Sequence, residues 1–267
     1  MNPTSNTALL ALYDDTMRRN VHIAGCVREI TPLVTRCTTT TGSQRYLMWH
    51  DFRESDLAAS VDVEIAAVRG HAKVLMWKLY AHDSAHDELR EELIARGSNE
   101  TGPYTLMATP VQAMLNALAA SQKDTSINLA VSELLTAKDL DAYQTIWDDV
   151  WPDAPNSRYV DDYRALIEKH EPGIVFFAGF DGDNPVTSGY MFHAPSAPFA
   201  LLCGGTTKAA WRHQHAYTRM LEARAQAALQ RGAKYLAVEA SAESKPILER
   251  LGFMPLSTLA FYEKHID

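Results

Sequence analysis

The chain has 267 residues, of which 46% are hydrophobic and 22% charged, and its net charge is −8. This length is enough for one large domain or two small ones, and the apolar fraction is enough for a well-packed core. The acidic balance argues against nucleic-acid binding, because proteins that bind nucleic acid carry a basic surface. No apolar run is long enough to cross a bilayer and the first residues do not resemble a signal peptide, so we expect a cytoplasmic protein without membrane contact.

Apolar residues alternate between short strand-like runs and longer helical stretches, which is typical of an α/β protein with a mixed sheet. The first half is predicted to contain a helix at 7–19, strands at 27–37 and 45–50, a helix at 54–70, a strand at 73–80, a helix at 85–97 and a strand at 104–109. A small, polar stretch at 117–126 predicts a linker. The second half is predicted to contain a strand at 127–133, helices at 137–150 and 157–170, strands at 173–180, 185–193 and 199–205, a helix at 211–231, a strand at 234–241, a short helix at 245–252 and a final strand or hairpin ending at Tyr262.

An internal repeat indicates two copies of one fold. Residues 66–97 align loosely with residues 227–252, because each stretch runs from a helix end through glycine, Ala-Lys and a strand into another helix. We therefore expect two domains, at 1–120 and 121–267. Convergent α/β composition is the alternative explanation of the match.

Cysteine and histidine spacing predicts no metal site. Cys26, Cys37 and Cys203 lack the paired spacing of a zinc site or a disulfide framework, and we interpret the first two as reduced thiols. Cys203 is interpreted as a small apolar strand residue rather than a nucleophile, because no general base stands near it in the sequence. His82 and His86 lie in a polar segment that is typical of a loop and a first helical turn.

The segment from residue 204 to 217 has the outline of a phosphate-binding turn. A strand ends in Gly204 and Gly205, and a long helix follows a short loop. The first N–H groups of a helix have no partner within the helix and its N-terminus is positive, so main chain alone can bind an anion there. Arg212 would add a charge-assisted hydrogen bond. The alternative is an ordinary helix start after a tight turn.

The order of elements over residues 127–262 resembles that of the GNAT acetyltransferase superfamily. LERLGF at 248–253 is similar to the closing helix motif of that family, and WRHQHA at 211–216 occupies the place of its Arg-x-x-Gly-x-Gly/Ala pyrophosphate motif. The whole chain resembles a bacterial group of tandem GNAT-like proteins in which the N-terminal copy is degenerate. The resemblance thus implies two tandem GNAT-like domains.

The resemblance also implies a site for acetyl-CoA in the C-terminal copy. In the family, the strand before the long helix offers main-chain groups to the pantetheine arm, and the amides of the next turn bind the pyrophosphate. The implied cofactor-binding residues are Leu202, Cys203, Gly204, Gly205, Thr206, Arg212, His213, Gln214, His215, Ala216, Tyr217 and Ser244. The loop that brings Ser244 near the thioester also carries Glu239 and Ser241.

Two of the motif's glycine positions hold other residues. His215 stands where the first glycine belongs and Tyr217 where the second glycine or alanine belongs. His215 would either crowd the phosphates or donate a hydrogen bond to one of them. A solvent-exposed helix cap is the alternative for both His213 and His215.

The residue at the place of the proton-donating acid departs from the family pattern. Many family members protonate the CoA thiolate with a tyrosine, but Leu248 stands at that place, so Ser241, Ser244 and Tyr262 are the candidates along with water. Glu239 is the candidate base or amine anchor. The alternative for Glu239 is an ordinary hydrogen-bonded residue at a strand end.

The N-terminal copy lacks the glycine turn. Its segment DFRESD places Asp51, Glu54 and Asp56 where phosphates would lie, and like charges would repel them. We therefore interpret residues 1–120 as a scaffold that covers one face of the catalytic copy.

The first helices of the C-terminal copy carry an aromatic row. Tyr143, Trp147 and Trp151, with nearby acidic residues, would suit a cationic amine. Their helical spacing is equally typical of a core-facing stripe, which is the favoured interpretation.

Together these features predict an acyl-CoA-dependent N-acyltransferase without a metal, with acetyl-CoA as the donor. The expected acceptor is a small amine or an amino-acid-like molecule, which attacks the thioester directly. The alternative is a catalytically silent GNAT-fold protein that binds CoA or another ligand or acts as an interaction module. Aminoacyl transfer from tRNA is a third option, against which the acidic balance counts.

Overall fold

The computed structural model describes residues 5–53, 56–121, 129–153, 157–195 and 197–266. The α-helices are α1 Asn6–Tyr13, α2 Leu57–Val68, α3 His86–Ala95, α4 Val111–Ser121, α5 Leu140–Val150, α6 Ser157–Glu168, α7 Ala216–Gln230 and α8 Lys245–Arg250. A π-helix at Asp14–Arg19 continues α1, and 3-10 turns lie at Ala137–Asp139 and Ala209–Trp211. The strands are β1 Cys26–Ile30, β2 Val34–Thr39, β3 Gln44–His50, β4 Val74–Tyr80, β5 Asn99–Pro110, β6 Ala130–Leu134, β7 Ile174–Asp181, β8 Asn184–Phe192, β9 Phe199–Thr207, β10 Tyr235–Ala240 and β11 Met254–His265.

These elements confirm the predicted mixed α/β class, with three local differences. The predicted strand at 27–37 is two antiparallel strands, because Pro32 cannot continue a ladder and the Thr31 hydroxyl accepts a hydrogen bond from the Val34 N–H at 3.0 Å. The predicted linker is wrong over residues 117–121, which lie in α4, since alanine-rich sequence favours a helix. The rest of that linker, 122–126, lies outside the described residues. The long helix begins at Ala216 rather than at residue 211, because turns precede it.

The chain divides into two compact units that are not consecutive in sequence. The first unit is Met1–Met107 with Glu239–Ile247 and Met254–Asp267, and the second is Ala108–Val238 with Leu248–Phe253. The division of the two sequence copies at residues 120 and 121 stays a prediction. None of the helices in the described ranges is long and apolar enough to span a membrane.

In the first unit the strand order is β1-β2-β3-β4-β11-β5. The C-terminal strand β11 runs antiparallel to β4, from Leu259 opposite Tyr80 to His265 opposite Val74. It adds Ala260 and Tyr262 to a buried cluster that includes Trp77. The last strand of the chain therefore completes the sheet and the core of the first unit.

In the second unit the strand order is β10-β9-β8-β7-β6, and β9 and β10 are parallel. Helices α5 and α6 cover β7 through a cluster that includes Tyr143, Ile146, Val160 and Phe176. Helix α7 buries Met220, Leu221 and several alanines. Small side chains at those positions allow the helix to lie close to its neighbours.

The two units repeat one strand register. Strands β3 and β4 pair in parallel from Gln44 opposite Val74 to Leu47 opposite Trp77. Strands β9 and β10 do so from Phe199 opposite Tyr235 to Leu202 opposite Val238. Lys78 directly follows the first paired segment and Glu239 directly follows the second, so the two residues occupy equivalent positions.

Candidate functional site

Strand β9 contains a bulge at its glycine pair. Ser188 of β8 lies opposite Thr206 and Tyr190 lies opposite Cys203, so two residues of β9, Gly204 and Gly205, face one residue of β8. Gly204 has a φ of +57°, and a Cβ there would lie 2.7 Å from the ring of Tyr190. Both the conformation and the close ring therefore require glycine at this position.

A buried arginine lies directly against this bulge. The Arg224 side chain is 1% exposed, and its Nη1 donates to the carbonyl oxygens of Cys203 at 3.1 Å and Tyr190 at 3.3 Å. A Cβ on Gly205 would lie 3.3 Å from Nη2 of Arg224. Burial lowers the pKa of Arg224, and within the described ranges no salt bridge to a carboxylate is found. The absence of side chains at the two glycines thus leaves room for the Arg224 guanidinium, whose charge is stabilised by the carbonyl groups of Cys203 and Tyr190.

Sequence reasoning missed Arg224, although a signal was present. It stands four residues after Met220 and three after Leu221, within the buried face of α7. A charged residue in an apolar helical stripe is expected to have buried polar partners.

The turn before α7 holds two histidines in the left-handed region. The φ angles of His213 and His215 are +61° and +64°. Glycine adopts this region without strain, and histidine is among the residues that enter it more often than most. His215 therefore adopts a main-chain conformation that glycine would adopt without strain.

The turn leaves main-chain donors available at the start of α7. The first hydrogen bond of the helix runs from the Arg219 N–H to the His215 oxygen, at 2.9 Å. The N–H groups of Ala216, Tyr217 and Thr218 come before it and therefore have no acceptor within the helix. The first turn of α7 has no acidic residue. Arg212 is exposed and its Nε donates to the Thr207 oxygen at 3.1 Å, which holds the turn against β9. These features suit an anionic group.

The other predicted cofactor residues are partly enclosed. Leu202 and Thr206 are buried, and the main-chain oxygen of Thr206 accepts from the Thr187 hydroxyl at 2.9 Å. The ring of Tyr217 packs beside Gly205, where a Cβ would lie 2.9 Å from it, and burial raises the pKa of Tyr217. Gln214 is exposed and donates to the Ala210 oxygen at 2.6 Å.

The corresponding features of the first unit have internal partners. Asp56 caps α2, and its carboxylate accepts from the Ala59 N–H at 3.0 Å, so an anion of the chain itself occupies that helix start. The register between β2 and β3 shifts at Met48. The main-chain oxygen of Met48 accepts a hydrogen bond from Arg18 Nε at 3.1 Å. Asp51 pairs with Arg53, and Glu54 lies outside the described residues.

Four residues predicted to carry chemistry belong to the first unit, whereas the glycine bulge belongs to the second. They are Glu239, Ser241, Ser244 and Tyr262. Both carboxylate oxygens of Glu239 accept from Lys78 Nζ, at 2.9 and 3.0 Å, and one also accepts from the Tyr80 hydroxyl at 2.9 Å. Positions that correspond in the two repeats, Lys78 and Glu239, thus form an ion pair.

The remaining candidates for acid chemistry differ in their surroundings. Ser241 and Ser244 contact each other, with hydroxyl oxygens 3.4 Å apart just before α8. Tyr262 is 1% exposed in the core of the first unit, and burial together with Glu100 raises its pKa to about 12. Leu248 is completely buried in the second unit, as an apolar residue would be.

The aromatic row on α5 runs from the core to the surface. Tyr143 is completely buried and stacks on Trp147, with ring centroids 6.2 Å apart, whereas Trp151 is 51% exposed. The row is therefore a core stripe at one end and an exposed ring at the other. All three cysteines are free thiols, and among the described residues no group of three or more potential ligands could hold a metal ion.

Comparisons with protein-family models and with curated proteins found no match. Solved structures do match over nearly the whole chain. A GCN5-related N-acetyltransferase from Kribbella flavida has a TM-score of 0.62 at 14% identity, covering 97% of this chain and 93% of that one. A conserved protein of unknown function from Staphylococcus epidermidis ATCC 12228 has a TM-score of 0.67 at 11% identity, covering 94% and 98%. A tandem GNAT protein from the clavulanic acid biosynthesis pathway has a TM-score of 0.57 at 11% identity, covering 88% and 78%.

Identities of this size show the fold alone. The chain therefore has the GNAT fold in a tandem arrangement, and the resemblance that the sequence indicates is confirmed at that level. What the chain binds and which reaction it catalyses are separate questions, because one fold can serve many functions.

Proposed function

We propose that the protein is an acyl-CoA-dependent N-acyltransferase that uses acetyl-CoA. Its acceptor is a small amine or an amino-acid-like molecule. The second copy holds the cofactor, and residues 1–120 act as a scaffold without a cofactor site of their own.

The observation that carries this proposal is the contrast between the starts of α7 and α2. The start of α7 combines left-handed residues at 213 and 215 with early amides and no acidic residue in the first turn. The start of α2 is capped by the carboxylate of Asp56. A pyrophosphate therefore has main-chain donors at α7, whereas it would meet a negative charge at α2.

In the proposed reaction, the acceptor amine attacks the thioester carbonyl within a ternary complex. A C–N bond forms, the C–S bond breaks, the amine loses a proton and the leaving thiolate gains one. Glu239 anchors the amine or takes its proton, and three hydrogen bonds from Lys78 and Tyr80 fix the orientation of its carboxylate. Ser241 or water supplies the thiolate proton in place of the tyrosine that Leu248 replaces.

Titration calorimetry of CoA into Arg212→Ala and Arg53→Ala tests where the cofactor binds. Arg212 precedes the α7 turn, and we expect its loss to weaken CoA binding about tenfold or more, as for a charge-assisted hydrogen bond. Arg53 is a matched control before α2, because it is 71% exposed and pairs with Asp51, and its loss should leave the affinity unchanged.

Three outcomes separate the proposals. An equal loss in both variants would place the cofactor elsewhere. Binding by the parent without acetylation of any amine in a broad panel would favour the catalytically silent alternative. No binding of CoA or acetyl-CoA by the parent would contradict the proposed function itself.

A further inference from the structure

A serine, a histidine and an aspartate lie together in the first unit, and none of them is assigned above to CoA. The hydroxyl oxygen of Ser257 is 2.7 Å from Nδ1 of His82. Nε2 of His82 is 2.8 Å from Oδ2 of Asp14. Asp14 begins the π-helix, His82 lies in the turn after β4, and Ser257 lies in β11. Three distant segments of sequence therefore place Ser, His and Asp in one hydrogen-bonded row.

A buried arginine orients the acid of this row. Arg18 is 1% exposed, and its Nη1 donates to Oδ1 of Asp14 at 2.9 Å. Its Nη2 donates to both oxygens of Asp83, at 2.7 and 2.8 Å. With Arg18 held in this way, Asp14 presents its other oxygen, Oδ2, to His82.

The distances assign the protons of the row. Nε2 of His82 is closer to Asp14 than to Arg18 Nη1, which is 3.3 Å away, so Nε2–H donates to the carboxylate. Nδ1 is then the lone-pair nitrogen and accepts the Ser257 hydroxyl proton. The other acceptor near that hydroxyl, the Thr258 oxygen, is farther, at 3.2 Å. These are the roles that activate serine as a nucleophile.

Solvent reaches the row. The side chains of His82 and Asp14 are 27% and 25% exposed, and Ser257 is partly exposed. By contrast, the guanidinium that orients Asp14 is buried, so the support is rigid while the reacting groups are accessible.

We propose that Ser257, His82 and Asp14 form a hydrolytic site for small carboxylic esters. His82 Nδ1 takes the proton of Ser257 as Oγ bonds to the ester carbonyl carbon. The C–O bond to the alcohol then breaks, and the alcohol leaves with the proton from His82. Water attacks the acyl-serine and gives one proton to His82. The bond to Oγ then breaks, Oγ takes that proton back from His82, and the carboxylic acid is released. No oxidant, reductant or CoA is required.

The test is labelling of the full chain with a fluorophosphonate, which forms a stable bond to an activated serine, read by intact and peptide mass spectrometry. We expect one label, on Ser257. Ser257→Ala and His82→Gln should each lower labelling and p-nitrophenyl acetate hydrolysis by about 100-fold or more. Ser132→Ala, an exposed serine of β6 in the second unit, is the control and should react as the parent does.

Circular dichroism and the thermal midpoint of each variant show whether it is folded. If Ser257→Ala does not fold, the labelled position in the parent and the folded His82→Gln or Asp14→Asn variant still decide the matter. An unlabelled parent at pH 8, a label on another residue, or equal labelling of the parent and a folded His82→Gln would each overturn the proposal. In those cases the row is a structural hydrogen-bond chain.

Discussion

At the residue scale, Gly204 and Gly205 allow large side chains to pack directly against the main chain of β9. The Tyr190 ring lies where a Cβ of residue 204 would be, and Arg224 and Tyr217 lie beside residue 205. In the sequence, the pair marks the end of the strand before a predicted phosphate-binding turn. The contacts give the pair a packing role as well, since the same glycines allow a buried guanidinium to bond to the Cys203 oxygen.

Gly204→Ala tests this packing. We expect a destabilisation of about 2–5 kcal/mol, because a left-handed alanine costs about 1–2 kcal/mol and overpacking against Tyr190 adds about 1–3 kcal/mol. Gly182→Ala is a matched control: its φ is +58° but nothing lies within 4 Å, so it should show the conformational cost alone. Calorimetric unfolding measures both, and equal losses would show that the Tyr190 contact costs nothing.

Tyr262→Phe tests whether the phenol is the acid that protonates the thiolate. Tyr262 lies in the core of the first unit with its pKa raised to about 12, so it is a weak proton donor at neutral pH. We expect kcat for acetylation of an acceptor found in the amine panel to fall about twofold or less, against about 100-fold or more for the loss of a true general acid. Tyr262→Ala should instead lower stability by about 3–5 kcal/mol. A collapse of kcat with KM unchanged in the phenylalanine variant would identify Tyr262 as the acid.

At the element scale, the start of α7 depends on main-chain shape more than on glycine itself. His213 and His215 both adopt left-handed conformations, which expose the early amides of the helix. The start of α2 in the other copy shows the opposite solution, because the carboxylate of Asp56 satisfies an amide there. An anionic side chain of the protein thus occupies the start of α2, whereas the start of α7 could bind an external anion.

His215→Gly tests the role of the ring at this helix start. Relief of left-handed strain should raise the free energy of unfolding by about 1 kcal/mol or less, since glycine's own entropy offsets part of the gain. We expect CoA to bind as well as to the parent or better, because the main chain supplies most of the donors. Gln214→Gly is the control, as residue 214 is not among the left-handed positions and the change should only destabilise.

Calorimetric titration of CoA distinguishes the two roles of His215. If the ring donates to a phosphate, its removal should cost about 1.5–3 kcal/mol, or about ten- to a hundredfold in affinity. A loss of that size would contradict the crowding hypothesis and identify His215 as a ligand.

At the scale of the whole molecule, the C-terminal strand belongs to the unit that contains the N-terminus. β11 lies between β4 and β5 in the strand order and places Leu259, Ala260 and Tyr262 in buried positions. Without it, β4 would expose a row of unpaired main-chain groups.

Deletion of residues 254–267 should therefore prevent the first unit from folding. We expect an aggregated protein, or loss of the unfolding transition of that unit in calorimetry, because both a central strand and core side chains are removed. A chain ending at His265 keeps every residue of β11 and should unfold as the parent does. A soluble truncated protein with an unchanged transition would show that β11 contributes little.

Local patterns in the sequence were sufficient for most helices and strands, for the repeat and for the GNAT resemblance. Periodicity depends on neighbouring residues, so it predicted β4, α3 and β7 to β9. It failed at Pro32, where one predicted strand is two, and at residues 117–121, where small residues form a helix. The positions of the glycine pair and of the turn before α7 were also predicted from sequence.

Only the tertiary structure decided which distant residues meet. Nothing local indicates that β11 pairs with β4, that Arg224 lies under the β9 bulge, or that Glu239 bonds to Lys78. The row of Asp14, His82 and Ser257 is likewise invisible in sequence, because its members stand 68 and 175 residues apart. The physical reason is that periodicity shows which face of an element is apolar. Which partner covers that face, and which polar groups are enclosed with it, depends on burial and hydrogen bonding across the whole chain.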